Sequence, residues 1–353
     1  MNDLKFAFRQ LLKNPGFTAV AVLTLALGIG GNTAIFSVIN AVVLRPPPFE
    51  EPGRLVFVSE KSKDMDNMSV AYPNFLDWQR QQESFSSLAA FRTEEWNLTG
   101  DGHPERITGL QVSAGFFPTL GVQPLRGRVF TADEDRAGGE RVVVLGEGIW
   151  RRRFGGDLSV LNRTVTLNGE PYTVVGILPA AFQFPRRVDL WTPIGHKAEW
   201  TEQRGWHSGI YVVGRLKPGV ELAAARSGLE AVAARLAKEY PDSNAGNSVT
   251  VMGLQERLAG PTVRTGLATL LGAVMLVLLI ACTNVTNLLL ARATQRRKEI
   301  AMRLALGAGR GLLLRQLLVE SLSLAGVGGI AGQTCIEPTT ASERSCTSRF
   351  WSI

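Results

Sequence analysis

The sequence predicts an integral membrane protein whose α+β extracytoplasmic domain, in two lobes, lies between transmembrane α-helices. Three observations predict it. Residues 14–44 form a run of 31 without a charge and residues 265–291 a run of 27; each exceeds the roughly 20 residues that cross about 30 Å of hydrocarbon. Directly behind the second run, residues 292–315 hold seven basic side chains and one acid, the positive flank that stays in the cytoplasm. Between the runs, residues 45–264 carry 26 basic and 26 acidic side chains, and about 215 residues of such balance suffice for a soluble core, here read as two lobes.

The net charge of +7 points first to nucleic acid. Its distribution excludes that reading, because the excess sits beside the two apolar runs and not across a groove for phosphates. Residues 45–264 contain no cysteine, so neither a disulfide nor a thiolate metal site exists there. Cys282 lies in the second run, and Cys335 and Cys346 lie near the end, none in a CxxC pair.

Taken in order, Leu4, Phe8, Leu11 and Leu12 share one helical face, with Lys5, Arg9 and Lys13 on the other. Residues 1–16 therefore read as an interfacial helix on the anionic cytoplasmic leaflet. Residues 17–44 read as a first transmembrane helix, since a secretory signal has an apolar core of only about 7 to 15 residues. Gly28, Gly30 and Gly31 fall inside it as a candidate helix-packing face, or as glycines merely tolerated in lipid. Arg45-Pro46-Pro47-Pro48 ends this helix, because proline cannot continue it. With the N-terminus inside, residues 45–264 lie outside the membrane.

Strand-like runs in that segment are 54–59, 141–145, 164–167, 172–178, 210–216 and 249–254. Asn168-Gly169 between two of them marks a type I′ hairpin, which needs positive φ at both central residues. Leu222, Leu229 and Leu236 recur every seven residues in an Ala-rich stretch closed by Pro241, a helix. The mixture indicates α+β.

The same segment offers little chemistry. His103, His196 and His207 lack metal-binding spacing. Gly205-Trp206-His207-Ser208-Gly209 is not a nucleophile elbow, and neighbours on a strand point apart. Asp133-Glu134-Asp135 reads as a solvated loop before a cation site, and Arg151-Arg152-Arg153 as a solvated helix end before a nucleic-acid contact. Trp78, Trp96, Trp191 and Trp200 read as packing residues. No catalytic, cofactor or metal site is expected, and no GxxxxGK[ST] phosphate loop occurs, so any ATP would act through a partner.

Behind the second transmembrane run, 265–291, Glu299 and Arg303 stand four apart and Gly307 with Gly309 can end a short helix. The stretch ACTNVTNLLLARATQRRKEIAMRLALGAGRGLLLRQLLVES resembles the second helix, cytoplasmic coupling segment and third-helix start of MacB-like and FtsX-like ABC transporter permeases. LLKNPGFTAVAVLTLALGIGGNTAIFSVINAVVLRPPPF resembles their first helix. YPNFLDWQRQ, VSAGFFPTLGVQPLRGRVF, VVVLGEGIWRRRFGG, LNGEPYTVVGILP and GRLKPGVELAAAR resemble the MacB-type periplasmic core domain of duplicated permeases that lack a fused ATPase. The resemblance covers residues 1–332, and it rests on the order and spacing of all these pieces together.

It implies a permease subunit without its own ATPase site, set in a bacterial inner membrane with its large domain in the periplasm. Such a subunit would couple a separate cytoplasmic ABC ATPase to efflux or mechanotransmission. Carried over by residue, Arg297, Lys298, Glu299, Ile300, Arg303 and Gly307 lie in the coupling segment, 292–311, that would meet that ATPase. Membrane lipid, a second permease copy or relative in a dimer, and a periplasmic adaptor are the other partners implied. A third span, 312–332, is incomplete, and the polar tail 333–353 departs from the family. A truncated or frameshifted reading frame is the expectation there; a short variant with an unstructured tail is the other. From another class, a membrane-anchored sensor or scaffold would show a cytoplasmic output domain after the second span, where this chain begins a third apolar segment.

Overall fold

A computed structural model describes residues 15–39, 49–100, 102–185, 187–196, 203–258 and 260–295, with single positions 302, 311, 319 and 326. Most of the interfacial helix (residues 1–14), the coupling segment beyond residue 295 and the third span, apart from the single positions just named, lie outside the described residues, as do the polar tail and Trp200. The described residues divide into two units, one holding 15–39 and 260–295 and the other 49–258.

In the first unit, helix α1 (Pro15–Ile39) and helix α8 (Pro261–Gln295) carry the two apolar runs. Among the described residues these are the helices long and apolar enough to cross a membrane, over Thr18–Ser37 and Thr265–Asn287. Both are apolar all round, as a helix solvated by lipid must be. Their hydroxyls fold back onto their own backbone: Thr24, Thr33, Thr269, Thr283 and Thr286 each donate to the carbonyl four residues earlier. That bond satisfies a polar group where lipid offers no partner.

The second unit is built on one ten-stranded sheet, ordered β10-β1-β9-β2-β3-β8-β5-β7-β4, with β6 paired to β2 and β7. The strands are β1 (Leu55–Lys61), β2 (Phe85–Thr99), β3 (Glu105–Val112), β4 (Arg126–Gly127), β5 (Val142–Gly146), β6 (Thr164–Leu167), β7 (Glu170–Leu178), β8 (Leu190–Pro193), β9 (Tyr211–Leu216) and β10 (Ser248–Gly253). The helices are α2 (Tyr72–Gln81), α3 (Phe116–Leu120), α4 (Glu147–Phe154), α5 (Leu222–Glu239), α6 (Pro241–Asn244) and α7 (Leu254–Leu258). This is an α+β fold, with mostly antiparallel pairs and parallel contacts confined to β3–β8 and β5–β7.

Side chains alternate between sheet faces, so the strands sort the core. One face carries a single aromatic-rich cluster: Leu55 and Phe57 of β1, Phe91 of β2, Leu110 of β3, Val144 of β5 and Trp191 of β8, closed by Phe116, Phe117, Phe182 and Phe184. The opposite face carries two clusters. One packs Val56 and Val58, Leu88 and Ala90, and Val212 under Phe75 and Trp78 of α2 and Leu229, Val232 and Leu236 of α5. The other packs Trp96 and Leu98, Val143 and Leu145, and Val174 under Ile149 and Trp150 of α4. The two lobes are thus two cores on one face of a continuous sheet.

Between them runs a polar seam. Along β2, the residues facing that side pass from Leu88 and Ala90 through Arg92 and Glu94 to Trp96 and Leu98, crossing from one core into the other. Arg92 and Glu94 pair at 2.8 Å. Gln111 of β3 is opposite Arg92, and Thr192 of β8 is opposite Gln111, extending the row; both are buried.

Six expected strand runs coincide with β1, β5, β6, β7, β9 and β10, and the Ala-rich helix is α5. The Asn168-Gly169 turn joins β6 to β7 with φ of 52° and 83°, the positive pair a type I′ turn requires. A side chain on Gly169 would meet nothing within 4 Å, whereas a Cβ on Gly176 would lie 2.1 Å from the Arg128 carbonyl oxygen where β4 crosses β7. Gly169→Ala should therefore cost about 1–2 kcal/mol of backbone strain alone. Gly176→Ala should abolish cooperative unfolding of the domain; denaturant melts in detergent, read by tryptophan fluorescence, would show whether the two differ in this order.

Candidate functional site

The candidate site residues fall in two places. Arg297, Lys298, Glu299, Ile300, Arg303 and Gly307 lie outside the described residues. Gly28, Gly30 and Gly31 lie in α1, and the structure gives Gly28 and Gly31 neighbours on α8.

Gly28 is buried against α8, where a Cβ would stand 3.2 Å from Leu278 Cδ1 and 3.4 Å from Ala281 Cβ. Gly30 is also buried. At Gly31 the nearest atom is Val274 Cγ1, at 3.8 Å from a built Cβ, ordinary contact distance. Ala21, one heptad before Gly28, is fully buried, and Ala281 is 4% exposed one heptad after Val274. Gly28 and Ala281 therefore meet as small residues, which lets the two helix backbones approach closely. Asn32 donates its side-chain amide to the Gly28 carbonyl at 2.9 Å, closing its own polarity beside the contact. Sequence reading missed Ala21, Val274, Leu278 and Ala281. The seven-residue spacing from Ala21 to Gly28 was the signal for that alanine, although a run with no polar face does not say which stripe meets its neighbour.

The charged groups of the sheet domain serve its own construction. Arg151 and Arg152 at the end of α4 are exposed, as a solvated helix end would be, while pairing with acids, and only Arg153 is largely buried, which corrects that reading for this one residue. Arg151 pairs with Glu147 at 2.7 Å and Arg152 with Glu105 at 2.7 Å; Arg153, largely buried, lies 3.6 Å from Glu105 and donates to the His103 carbonyl at 2.8 Å. Helix α4 is thereby tied to the start of β3.

In the loop Asp133-Glu134-Asp135 the first acid is solvated as expected, but Glu134 and Asp135 are structural, which corrects the reading for those two. Glu134 is 6% exposed and takes a two-pronged contact from Arg128, at 2.6 and 2.9 Å, with the Thr131 amide as a third donor. Burial raises its carboxyl, but the hydrogen bonds from Arg128 and Thr131 together carry it below the ordinary value. Asp135 accepts from the Ala114 amide at 2.8 Å and the Gly195 amide at 2.7 Å, pinning the ends of β3 and β8. Burial pushes its pKa up to about 6 against the pull of those amides. Among the described residues no three His, Cys, Asp or Glu side chains gather as a metal would require. His207 turns to Glu60 at 2.8 Å and not to its neighbour Ser208.

A helix pair packed through glycine should respond to bulk at one position and not at the other. Gly28→Ile should destabilise the pair by about 1–3 kcal/mol through overpacking, while Gly31→Ala should be tolerated. With Cys282, Cys335 and Cys346 replaced by serine, Gly28→Cys and Ala281→Cys should oxidise to an intramolecular disulfide, since the span approaches the roughly 3.8 Å such bonds prefer. Maleimide mass-tagging of the membrane-embedded chain reads it.

Asp135 yields a pH test with a defined sign. Its folded pKa of about 6 exceeds an unfolded value of about 3.9. The stability it contributes is therefore complete below the unfolded value and lost as pH rises through 6. Relative to Asp135→Asn, the wild type should gain about 1 kcal/mol between pH 7 and 5, measured as urea midpoints at both pH values.

Comparison with known proteins follows this geometry. The profile of the MacB-like periplasmic core domain matches residues 18–232, and that of the FtsX-like permease C-terminal segment matches residues 271–335. The macrolide export ATP-binding/permease protein MacB of Chlorobium luteolum is 30% identical over 253 residues, 70% of this chain and 36% of the relative. The Bacillus subtilis protein named uncharacterized ABC transporter permease YknZ is 27% identical over 254 residues, 70% of this chain and 59% of the relative. The chain thus spans about a third to three-fifths of the length of these relatives. The crystal structure of the periplasmic region of MacB from Actinobacillus actinomycetemcomitans superposes with a TM-score of 0.46 at 13% identity, covering 67% of this chain and 98% of that one.

Proposed function

The chain belongs to the family of ABC transporter permeases built on the MacB-like periplasmic core domain, with an FtsX-like permease segment behind it, and we propose that it serves as the non-catalytic membrane subunit of such a transporter. It is a membrane protein with an extracytoplasmic domain. In this reading a separate cytoplasmic ATPase binds the basic segment 292–311, and its ATP-driven closure is carried outward to efflux or mechanotransmission. The membrane would be the bacterial inner membrane.

The observation that carries the reading is α8. One unbroken helix of 35 residues begins three positions after α7, includes the apolar run and ends inside the basic cluster. At about 1.5 Å per residue it is roughly 52 Å long, more than the hydrocarbon requires. A continuous helix keeps its backbone hydrogen bonds along its whole length, so a displacement at its basic end moves the end that joins the sheet domain. The Gly28 contact gives α1 and α8 a close seam on which to shift together. A partner that binds one arrangement of these helices more tightly would bias their equilibrium by that difference in affinity.

The test is charge reversal in the basic segment. Glu299→Arg with Arg303→Glu should remove stimulation of a co-expressed family ATPase by the chain, with membrane insertion unchanged by protease protection of the sheet domain. Stimulation equal to wild type in the double variant would overturn the docking assignment. Failure of the wild type to copurify with any ABC ATPase would favour the anchored sensor instead.

A further inference from the structure

The segment 203–210, which leads into β9, is fastened to the first lobe at two points of different chemistry. Arg204 makes the first. Its guanidinium lies 2.6 Å from Asp77 of α2, donates to Asn74 Oδ1 at 2.8 Å and sits 3.8 Å over the Tyr240 ring. Arginine keeps its charge at every accessible pH, so this anchor is permanent. His207 makes the second. Its Nε2 is 2.8 Å from Glu60 Oε2, and its Nδ1 is 3.3 Å from the Gly205 carbonyl oxygen.

Both ring nitrogens therefore face oxygens that only accept. A neutral imidazole has one N–H and can satisfy one of them; the imidazolium has two and satisfies both. Glu60, on β1, is 1% exposed, and its other oxygen already accepts from the Ala71 amide at 3.0 Å and Asn74 Nδ2 at 2.9 Å. The buried carboxylate thus has its remaining oxygen aimed at the ring, where a cation is worth most. The titratable and charged groups around the pair are few: Glu60 from β1, Asp77 from α2 paired with Arg204, and the neutral phenol of Tyr240 at the end of α5, while α6 supplies the uncharged Asn244, bonded to Asn74.

We infer that His207 and Glu60 form a proton-operated clasp, closed when the imidazole is charged, that holds segment 203–210 against strand β1 and helix α2. When the ring loses its proton, the neutral imidazole keeps one of its two bonds and its contact with the Glu60 carboxylate is no longer charge-assisted, so residues 205–209 loosen about the Arg204 anchor. Gly209, at φ of 82°, supplies the backbone freedom at the far end, and the Ile210 carbonyl stays bonded to the Val70 amide at 2.7 Å. Trp206, 44% exposed, rides on the moving part, so opening alters the surface the first lobe presents. The hydrogen bond that His207 donates to Glu60 raises its pKa above the ordinary value. The clasp's stabilisation is then complete below the unfolded pKa and disappears as pH rises through the higher folded one. A domain outside the cytoplasmic membrane meets the pH of its surroundings directly.

The chain has three histidines, so isotope labelling of histidine alone reads each ring. In the full chain in lipid nanodiscs, His207, identified by its loss in His207→Gln, should titrate above its ordinary value, and in Glu60→Gln it should fall back. Hydrogen exchange of residues 203–210, corrected for the intrinsic pH dependence of exchange, should lose protection several-fold as pH rises through the His207 transition. His207→Gln should remove that step while leaving exchange in β2 and β3 unchanged. Should Glu60→Gln not fold, the His207→Gln comparison decides. The clasp is overturned if His207 titrates at or below the ordinary histidine value, or if the exchange step persists in His207→Gln.

Discussion

The backbone pairing of β2 is the interaction on which the sheet domain depends. Its 15 residues hydrogen-bond to β9 and β3 on its two edges, and its end reaches β6. Among the described residues no other strand is anchored in both lobes over such a length. Because side chains alternate, its one face supplies Leu88 and Ala90 to the first core and Trp96 and Leu98 to the other, with Arg92 and Glu94 paired in between. The polar seam is the physical reason the domain has two lobes on that face, and the aromatic cluster on the reverse is the reason they do not separate. Rings of Phe91, Phe116, Phe182, Phe184 and Trp191 follow one another at 5.5–6.5 Å, edge-on or tilted, from β2 to β8.

The membrane helices obey a different constraint. In hydrocarbon the apolar effect cannot drive one helix onto another, so close approach must come from size and fit. Glycine at 28 and alanine at 21 and 281 provide it, and the threonines and Asn32 spend their hydrogen-bonding capacity on their own helices. The sheet domain and the helix pair are therefore held by unlike forces. Burial of aromatic surface holds the one, and dispersion contacts between small residues hold the other. The polar chemistry in the domain is spent on tying loops to strands: Arg153 to the start of β3, Asp135 to the ends of β3 and β8, His207 and Arg204 to the first lobe.

Local patterns were legible in the sequence wherever a few neighbouring residues suffice to define the element. An uncharged run reports a span because lipid accepts nothing else, and Asn168-Gly169 reports a hairpin because φ is positive there for both. The runs that became β1, β5, β6, β7, β9 and β10 are rich in β-branched and apolar residues. Strand β2 escaped because its middle, Arg92 to Glu95, reads as a loop, and β3 and β8 escaped because their polar members, Gln111 and Thr192, are buried only when paired with neighbours far away in sequence. Glu134, Asp135 and Arg153 looked solvated for the same reason: a charge carries no mark of the partner the fold will bring to it.

By itself, then, the sequence determined the membrane topology signals, the α+β character, the hairpin and the small-residue stripe at Gly28. These rest on hydrophobicity, charge and backbone conformation, each of which acts within a turn or two of the chain. Only the tertiary structure decided that Gly28 meets Leu278 and Ala281, that Asp135 fastens Ala114 to Gly195, and that His207 closes on Glu60, 147 residues away. Those contacts follow from strand pairing and helix packing between remote segments, and the side chains involved acquire their roles from burial and from partners that no local pattern encodes.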